Sequence, residues 1–195
     1  MTEHLNLVFF GIVGSGKGTQ AKLLRDYLGN TEYIGTGEIF RKIMQSREDD
    51  NEAKKIAKEL LNAGKLMPDD ITNQLVWDAL AKITSLESKN LIFDGYPRTI
   101  AQSEYFLKLM EKYNREPVKI IFIALSEAQA LQRNLLRGRH DDTEEGLRQR
   151  FDEYNNKVIP AMAYLKDRPG YQIYTINGEQ TVAEVHKEII AKLGV

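Results

Sequence analysis

Gly11-Ile12-Val13-Gly14-Ser15-Gly16-Lys17-Gly18-Thr19 lies between an apolar run, Leu5 to Phe10, and a helical run, Ala21 to Leu28. It contains G-x-x-x-x-G-K between a strand and a helix, which is the setting a phosphate-binding loop requires. Glycines here let backbone N–H groups turn inward around phosphate oxygens, and the helix N-terminus adds partial positive charge. Lys17 is spaced to reach the outer phosphates. The hydroxyl that usually follows the lysine comes one residue late, because Gly18 precedes Thr19. A plain glycine turn would need neither the lysine nor this setting. The loop predicts nucleotide binding but does not choose a reaction.

Working outward, further short apolar runs occur at Leu91 to Phe93, Ile120 to Leu125 and Tyr171 to Ile176, with Tyr33-Ile34 as a weaker one. Most are apolar throughout rather than alternating, which reads as strands buried on both faces of a parallel sheet. Helical periods separate them: Leu75, Val76, Ala79, Leu80 and Ile83; Phe106, Leu109, Met110 and Tyr113; Leu147, Phe151, Tyr154 and Val158; Val182, Val185, Ile189 and Leu193. Strands alternating with helices predict right-handed βαβ units and an α/β fold with a doubly wound sheet. From about Gly35 to Lys82 the pattern is helical without a strand, with Ala53, Ile56, Ala57, Leu60 and Leu61 in register and Gly64 as a stop. That stretch reads as an inserted helical subdomain.

The chain has 195 residues, 27 Lys+Arg against 28 Asp+Glu, and a formal net charge of −1. This length suits one domain with a small insertion. Near-neutral charge argues against bulk nucleic-acid binding. With no cysteine, a disulfide framework and a Cys-ligated zinc site are both excluded. The apolar runs fall far short of the roughly 20 residues a membrane span needs. Met1-Thr2-Glu3-His4 lacks the positive region of a signal peptide. The expectation is a cytoplasmic protein without nucleic-acid or membrane partners. His4, His140 and His186 are isolated and read as surface residues, and Trp77 reads as packing. A GTPase would need N-K-x-D, but Asn156-Lys157-Val158-Ile159 lacks the Asp, and Asp167-Arg168-Pro169-Gly170 follows that segment instead of preceding it.

Three motifs together resemble the adenylate kinases. Gly11 to Gln20 resembles their G-x-P-G-x-G-K-G-T-Q loop, Asp94-Gly95-Tyr96-Pro97-Arg98-Thr99 their D-G-[FY]-P-R-[TS] signature, and Arg139-His140-Asp141-Asp142 their R-x-D-D segment. Order and spacing match from about Leu5 to Leu193. The resemblance implies a P-loop NTPase-type three-layer sandwich with a five-stranded parallel sheet. It implies a core of about 1–34, 69–136 and 142–195, a nucleoside monophosphate (NMP)-binding helical insertion of about 35–68, and a vestigial lid loop of about 137–141. It also implies the reaction MgATP + AMP ⇌ 2 ADP, in the service of adenine nucleotide homeostasis. A UMP/CMP-type kinase is the near alternative, and a regulatory nucleotide-binding protein without catalysis is a more distant one. Retention of Lys17, Arg98, Arg133, Arg139 and Arg150 speaks against the latter, because a binder has no need of a phosphoryl clamp.

The same resemblance distributes roles. ATP would meet Gly14, Ser15, Gly16, Lys17, Gly18, Thr19, Arg133, Arg137, Asn177 and Gly178. AMP would meet Thr36, Arg41, Met67, Gly95, Arg98, Gln102, Arg139 and Arg150. Asp94 would hold Mg²⁺ through water, since Mg²⁺ loses water reluctantly. Each assignment has a plainer competitor. Arg41 suits a solvated helix, and Asp94 a strand-end turn. Gln102 suits a capping box with Thr99. Asp142, with Glu145 three residues on, suits a helix cap, and Asp141 a cap likewise. Glu144–Arg148 pairing accounts for Arg148, but not for a cluster built of arginine alone.

Three departures stand out. Only Gly138 separates Arg137 from Arg139, where longer relatives insert a mobile lid. Val13 replaces the usual Pro of the loop, and Gly35 the usual Ser before Thr36. A monomer is the default, and a homo-oligomer covering the lid-less site is the alternative.

Overall fold

The computed structural model describes residues 4–45, 59–60, 65–138 and 142–195. Five strands, β1 (Asn6–Phe10), β2 (Thr31–Gly35), β3 (Asn90–Asp94), β4 (Lys119–Ala124) and β5 (Gln172–Asn177), form one parallel sheet in the order β2-β3-β1-β4-β5. The α/β, five-stranded parallel architecture expected from the sequence is therefore present. β1 lies at the centre, with Val8 opposite Phe93 on one side and Ile120 on the other. All five β1 residues are buried. β5 departs from the expectation of strands buried throughout: it is an edge strand, and Gln172, Thr175 and Asn177 face solvent.

Strand alternation sorts the core into two layers. Leu7 and Phe9 pack with Ala21, Leu24, Val185 and Ile189, which belong to helices α1 (Lys17–Leu28) and α8 (Val182–Leu193). Val8 and Phe10 pack on the other face with Val76, Leu80, Phe106, Met110 and Leu165. Those residues come from α3 (Asp69–Ala81), α4 (Ile100–Lys112) and α7 (Ile159–Lys166). Phe106 meets Phe93 and Tyr96 edge to face, with ring centroids 5.1 and 6.1 Å away. Trp77 joins this layer, as expected, beside Tyr113. His186 does not sit on the open surface; it is half-buried, edge-on to Tyr27.

Three further helices border the C-terminal ends of the strands: α2 (Thr36–Gln45), α5 (Glu127–Arg137) and α6 (Glu144–Glu153). A π-helical turn, Tyr154–Val158, links α6 to α7. Phe40 of α2 forms a small separate cluster with Met67, Leu60, Ile71 and Leu75. The stripe of Ala53, Ile56, Ala57 and Leu61, its stop Gly64, and residues 139–141 of the expected lid loop lie outside the described residues.

The edge-to-face aromatic group is fully buried between sheet and helices. Phe106→Ala is expected to lower unfolding free energy by roughly 3–5 kcal/mol, read from urea denaturation midpoints.

Candidate active site

The sheet brings β1 and β3 side by side with Phe9 opposite Asp94, so the loop after β1 and the turn after β3 share one crevice. The glycine loop turns back on itself there, with Gly14 at φ 88° and Gly16 at φ 90°, a region L side chains rarely adopt. A Cβ on Gly14 would come within 2.4 Å of Asn134 Nδ2. Buried Asn134 of α5 donates from Nδ2 to Val13 O at 3.0 Å and to Ala130 O at 2.7 Å. Val13 lacks the fixed φ of Pro, but its carbonyl is tied to α5 by this hydrogen bond. Ser15 lies buried beneath the loop.

Lys17 Nζ donates to Gly11 O at 2.5 Å and Ile12 O at 2.8 Å. Desolvation lowers its pKa to about 8; Asp94 opposes the shift, and Arg98 and Arg137 add to it. Asp94 ends β3, and a Cβ on Gly18 would stand 3.1 Å from its Oδ2. This closeness favours glycine where other phosphate loops have a hydroxyl residue. Tyr33 Oη donates to Asp94 Oδ2 at 2.8 Å. Burial first, then the Asp94 charge, pushes the Tyr33 hydroxyl well above its ordinary pKa.

Gly95 joins the two sides of the crevice. Its carbonyl accepts from Thr36 Oγ1 at 2.8 Å and from Arg98 Nε at 2.8 Å. Desolvation lowers the Arg98 pKa, with Asp94 opposing and Arg150 adding to the shift. Buried Gln102 resolves into half of the predicted capping box. Thr99 Oγ1 accepts from Gln102 N at 3.0 Å, but Gln102 Oε1 accepts from Arg98 N at 2.8 Å instead of from Thr99. Gln102 Nε2 donates to Asp69 Oδ1 at 2.8 Å.

Asp142 does not cap the following helix. Thr143 does so, accepting from Gly146 N at 3.1 Å. The buried Asp142 carboxylate instead receives Arg137 through two bonds, at 3.0 and 2.7 Å, and Arg150 NH1 at 3.3 Å. A tertiary ion cluster wins over the local cap because two guanidinium groups compensate the buried charge. Arg148 is exposed, as the solvated-face reading has it.

These groups surround a cleft of about 420 Å³ whose lining includes Gly14, Gly16, Lys17, Gly18, Thr19, Arg41, Asp94, Gly95, Arg98, Arg133 and Arg137. Lys22, Tyr33 and Glu38 also line it, and reading the sequence singled out none of them for the site. Lys22 and Glu38 form an ion pair. Among the described lining residues six are basic (Lys17, Lys22, Arg41, Arg98, Arg133, Arg137) and two acidic (Glu38, Asp94), so the cleft suits an anion. The remaining expected site residues lie elsewhere. Thr36 and Gln102 are buried beside the cleft, and Met67 lines a second cavity with Leu66, Pro68 and Asp69. Asn177 and Gly178 end β5 outside the lining, Gly178 N donating to Ala124 O at 2.7 Å. Arg139 is outside the described residues. No group of three metal-ligating side chains occurs among the described residues. With Glu38 paired to Lys22, Asp94 is the carboxylate left to face the cleft, and it fits Mg²⁺ held largely by water and substrate phosphates, the usual arrangement for this ion.

Comparison with known proteins agrees with this geometry. The family model described as adenylate kinase matches residues 9–169. "Adenylate kinase 1" of a Nostoc species is 33% identical over 188 residues, covering 96% of this chain and 98% of that protein. The adenylate kinase of Flavobacterium psychrophilum is 33% identical over 190 residues, with 95% and 96% covered. That of Thermosipho melanesiensis is 31% identical over 217 aligned positions, with 95% and 98% covered. With a phosphate loop, an arginine-lined cleft and full-length similarity of this kind, the chain belongs to the adenylate kinase family and is a nucleoside monophosphate kinase, a phosphotransferase.

Proposed function

We propose that this protein catalyses the reversible, Mg²⁺-dependent transfer of the ATP γ-phosphoryl group to AMP, giving two ADP, and so balances adenine nucleotides in the cytoplasm. The observation that carries this reading is the convergence of Lys17, Arg98, Arg133 and Arg137 on one cleft beside Asp94. Phosphoryl transfer asks little covalent chemistry of a protein; positioning and charge stabilisation dominate. Binding of ATP to the loop draws Lys17 from the Gly11 and Ile12 carbonyls onto the β- and γ-phosphates, with Gly14, Ser15, Gly16, Gly18 and Thr19 supplying loop contacts. Arg137, Arg139 and Arg150 hold the phosphoryl group in transit, Asp142 keeps Arg137 and Arg150 together, and Arg133 meets the adenine side of ATP. Arg98 grips the AMP phosphate with its planar fork. Arg41, Thr36, Gly95 and Met67 complete the acceptor side, and Asn177 and Gly178 meet the donor base. Asp94 would hold Mg²⁺ through water, and the ion would supply charge neutralisation at the phosphates.

The segment 35–68 acts as the acceptor-side subdomain whose closure excludes water, with residues 137–141 as a short lid. The protein works as a monomer. No described helix is long and apolar enough to cross a membrane.

Gln102 reads the adenine of AMP with the N–H and lone pair that its bonds to Asp69 and Arg98 leave over. Those same bonds favour a second reading, in which Gln102 only buttresses Arg98 and the acceptor is CMP or UMP. ADP formation from MgATP against AMP, CMP, UMP and GMP, taken singly, separates them. AMP is expected to dominate; preference for CMP or UMP overturns the adenine assignment, and no turnover with any acceptor overturns the catalytic one.

The lowered Lys17 pKa gives a pH signature. Below about 8 the free protein holds Lys17 as ammonium; above that pH the charge is lost. Affinity for metal-free ATP should fall as pH rises through about 8. Calorimetric titration should find no such fall in Lys17→Met.

A further inference from the structure

Gly35 occupies the position where the related phosphate-binding kinases usually have Ser. Its backbone lies outside the left-handed region, so space rather than conformation explains the glycine. A Cβ there would fall 2.5 Å from Tyr33 Oη and 2.6 and 2.7 Å from ring atoms Cε1 and Cζ. Residues 33 and 35 are two apart on β2 and share one face of the sheet. In the β2–β3 register Tyr33 pairs with Ile92 and Gly35 with Asp94. The Tyr33 ring therefore runs forward along its own strand, across the bare Gly35 backbone, and ends with its hydroxyl donating to Asp94 Oδ2 at 2.8 Å. The ring is packed against the layer of Leu7, Phe9 and Leu24, which fixes its direction, and Tyr33 lines the nucleotide cleft.

We propose that Tyr33 is the positioning residue for Asp94: its hydroxyl ties down one carboxylate oxygen, and the missing side chain at Gly35 makes room for it. Asp94 then presents its remaining lone pairs to the waters around Mg²⁺ in a single orientation. Partners bonded to a direct metal ligand typically change metal affinity roughly 10–100-fold when lost; Tyr33 stands one bond further out, behind a carboxylate that meets the ion through water, so its loss costs less. The inference rests on the proposed role of Asp94 on the metal side. It makes Tyr33 and Gly35 a matched pair: enlarging position 35 and deleting the hydroxyl at 33 have the same consequence.

The test uses the whole protein saturated with a dinucleotide of two adenosines joined by five phosphates, and Mn²⁺ as the probe. Mn²⁺ affinity of that complex is followed by electron paramagnetic resonance, and dinucleotide affinity in EDTA by calorimetry. Tyr33→Phe keeps the ring and should weaken Mn²⁺ binding severalfold, less than the roughly tenfold loss typical beside a direct ligand, while leaving metal-free dinucleotide affinity unchanged. Gly35→Ala should reproduce that defect by displacing the ring. Adding Tyr33→Phe to Asp94→Asn should cost nothing beyond Asp94→Asn alone. If Asp94→Asn weakens Mn²⁺ binding and Tyr33→Phe does not, the positioning role is wrong and the metal-side role of Asp94 stands. If Asp94→Asn itself has no effect, both fall.

Discussion

Positive charge confined in one cleft is the constraint on which the rest of this molecule depends. Lys17, Arg41, Arg98, Arg133 and Arg137 share a space with Asp94, while Lys22 is matched by Glu38. Like charges held this close raise the free energy of one another's charged forms. The lowered pKa values of Lys17 and Arg98, led by desolvation and reinforced by neighbouring cations, are the visible sign. The fold itself offers these cations acceptors: Lys17 the loop carbonyls, Arg98 the Gly95 carbonyl, Arg137 the Asp142 carboxylate. A phosphate brings the negative charge that the carbonyls beneath Lys17 and Arg98 lack, so those two cations gain Coulombic attraction from it, while Arg137 already has a carboxylate partner.

Such an arrangement has to be held by something rigid. The parallel sheet does this, because both flanking helix layers lock β1 and β3 in register and thereby fix the distance between the glycine loop and Asp94. Gly18 and Gly35 follow from the same closeness: each stands where a side chain would press on Asp94 or on the tyrosine that holds it. α5 contributes twice, presenting Arg133 and Arg137 to the cleft and seating the loop through Asn134. Asp142 adds a buried counter-charge that gathers Arg137 and Arg150 from two different helices.

Legibility from sequence follows the range of the interaction. The glycine loop, the apolar strands and the helical stripes are local patterns, so the architecture is readable from them, as is the set of basic residues at strand ends. Asp142 is different. Its neighbours make it look like a helix cap, yet its carboxylate meets an arginine five positions before it and another eight positions after it, on two different helices. Gln102 likewise has a local reading, but its amide is occupied by Arg98 and by Asp69, 33 residues earlier. Tyr33 lies in the weakest strand run and contacts a carboxylate 61 residues on. Its only sequence signal was Gly35, which shows as a departure without saying what fills the space. The edge position of β5 was also invisible, because strand order depends on pairings that local hydropathy does not encode.

In the proposed reaction one basic cleft spans the phosphates of both substrates at once. Calorimetric binding of the five-phosphate dinucleotide, in competition with ATP and with AMP, tests it most directly. One molecule should bind per chain, far more tightly than ATP alone, displaced by either nucleotide and weakened by both Lys17→Met and Arg98→Ala. Binding no tighter than ATP, or insensitive to AMP and to Arg98→Ala, would contradict a shared phosphoryl-transfer site.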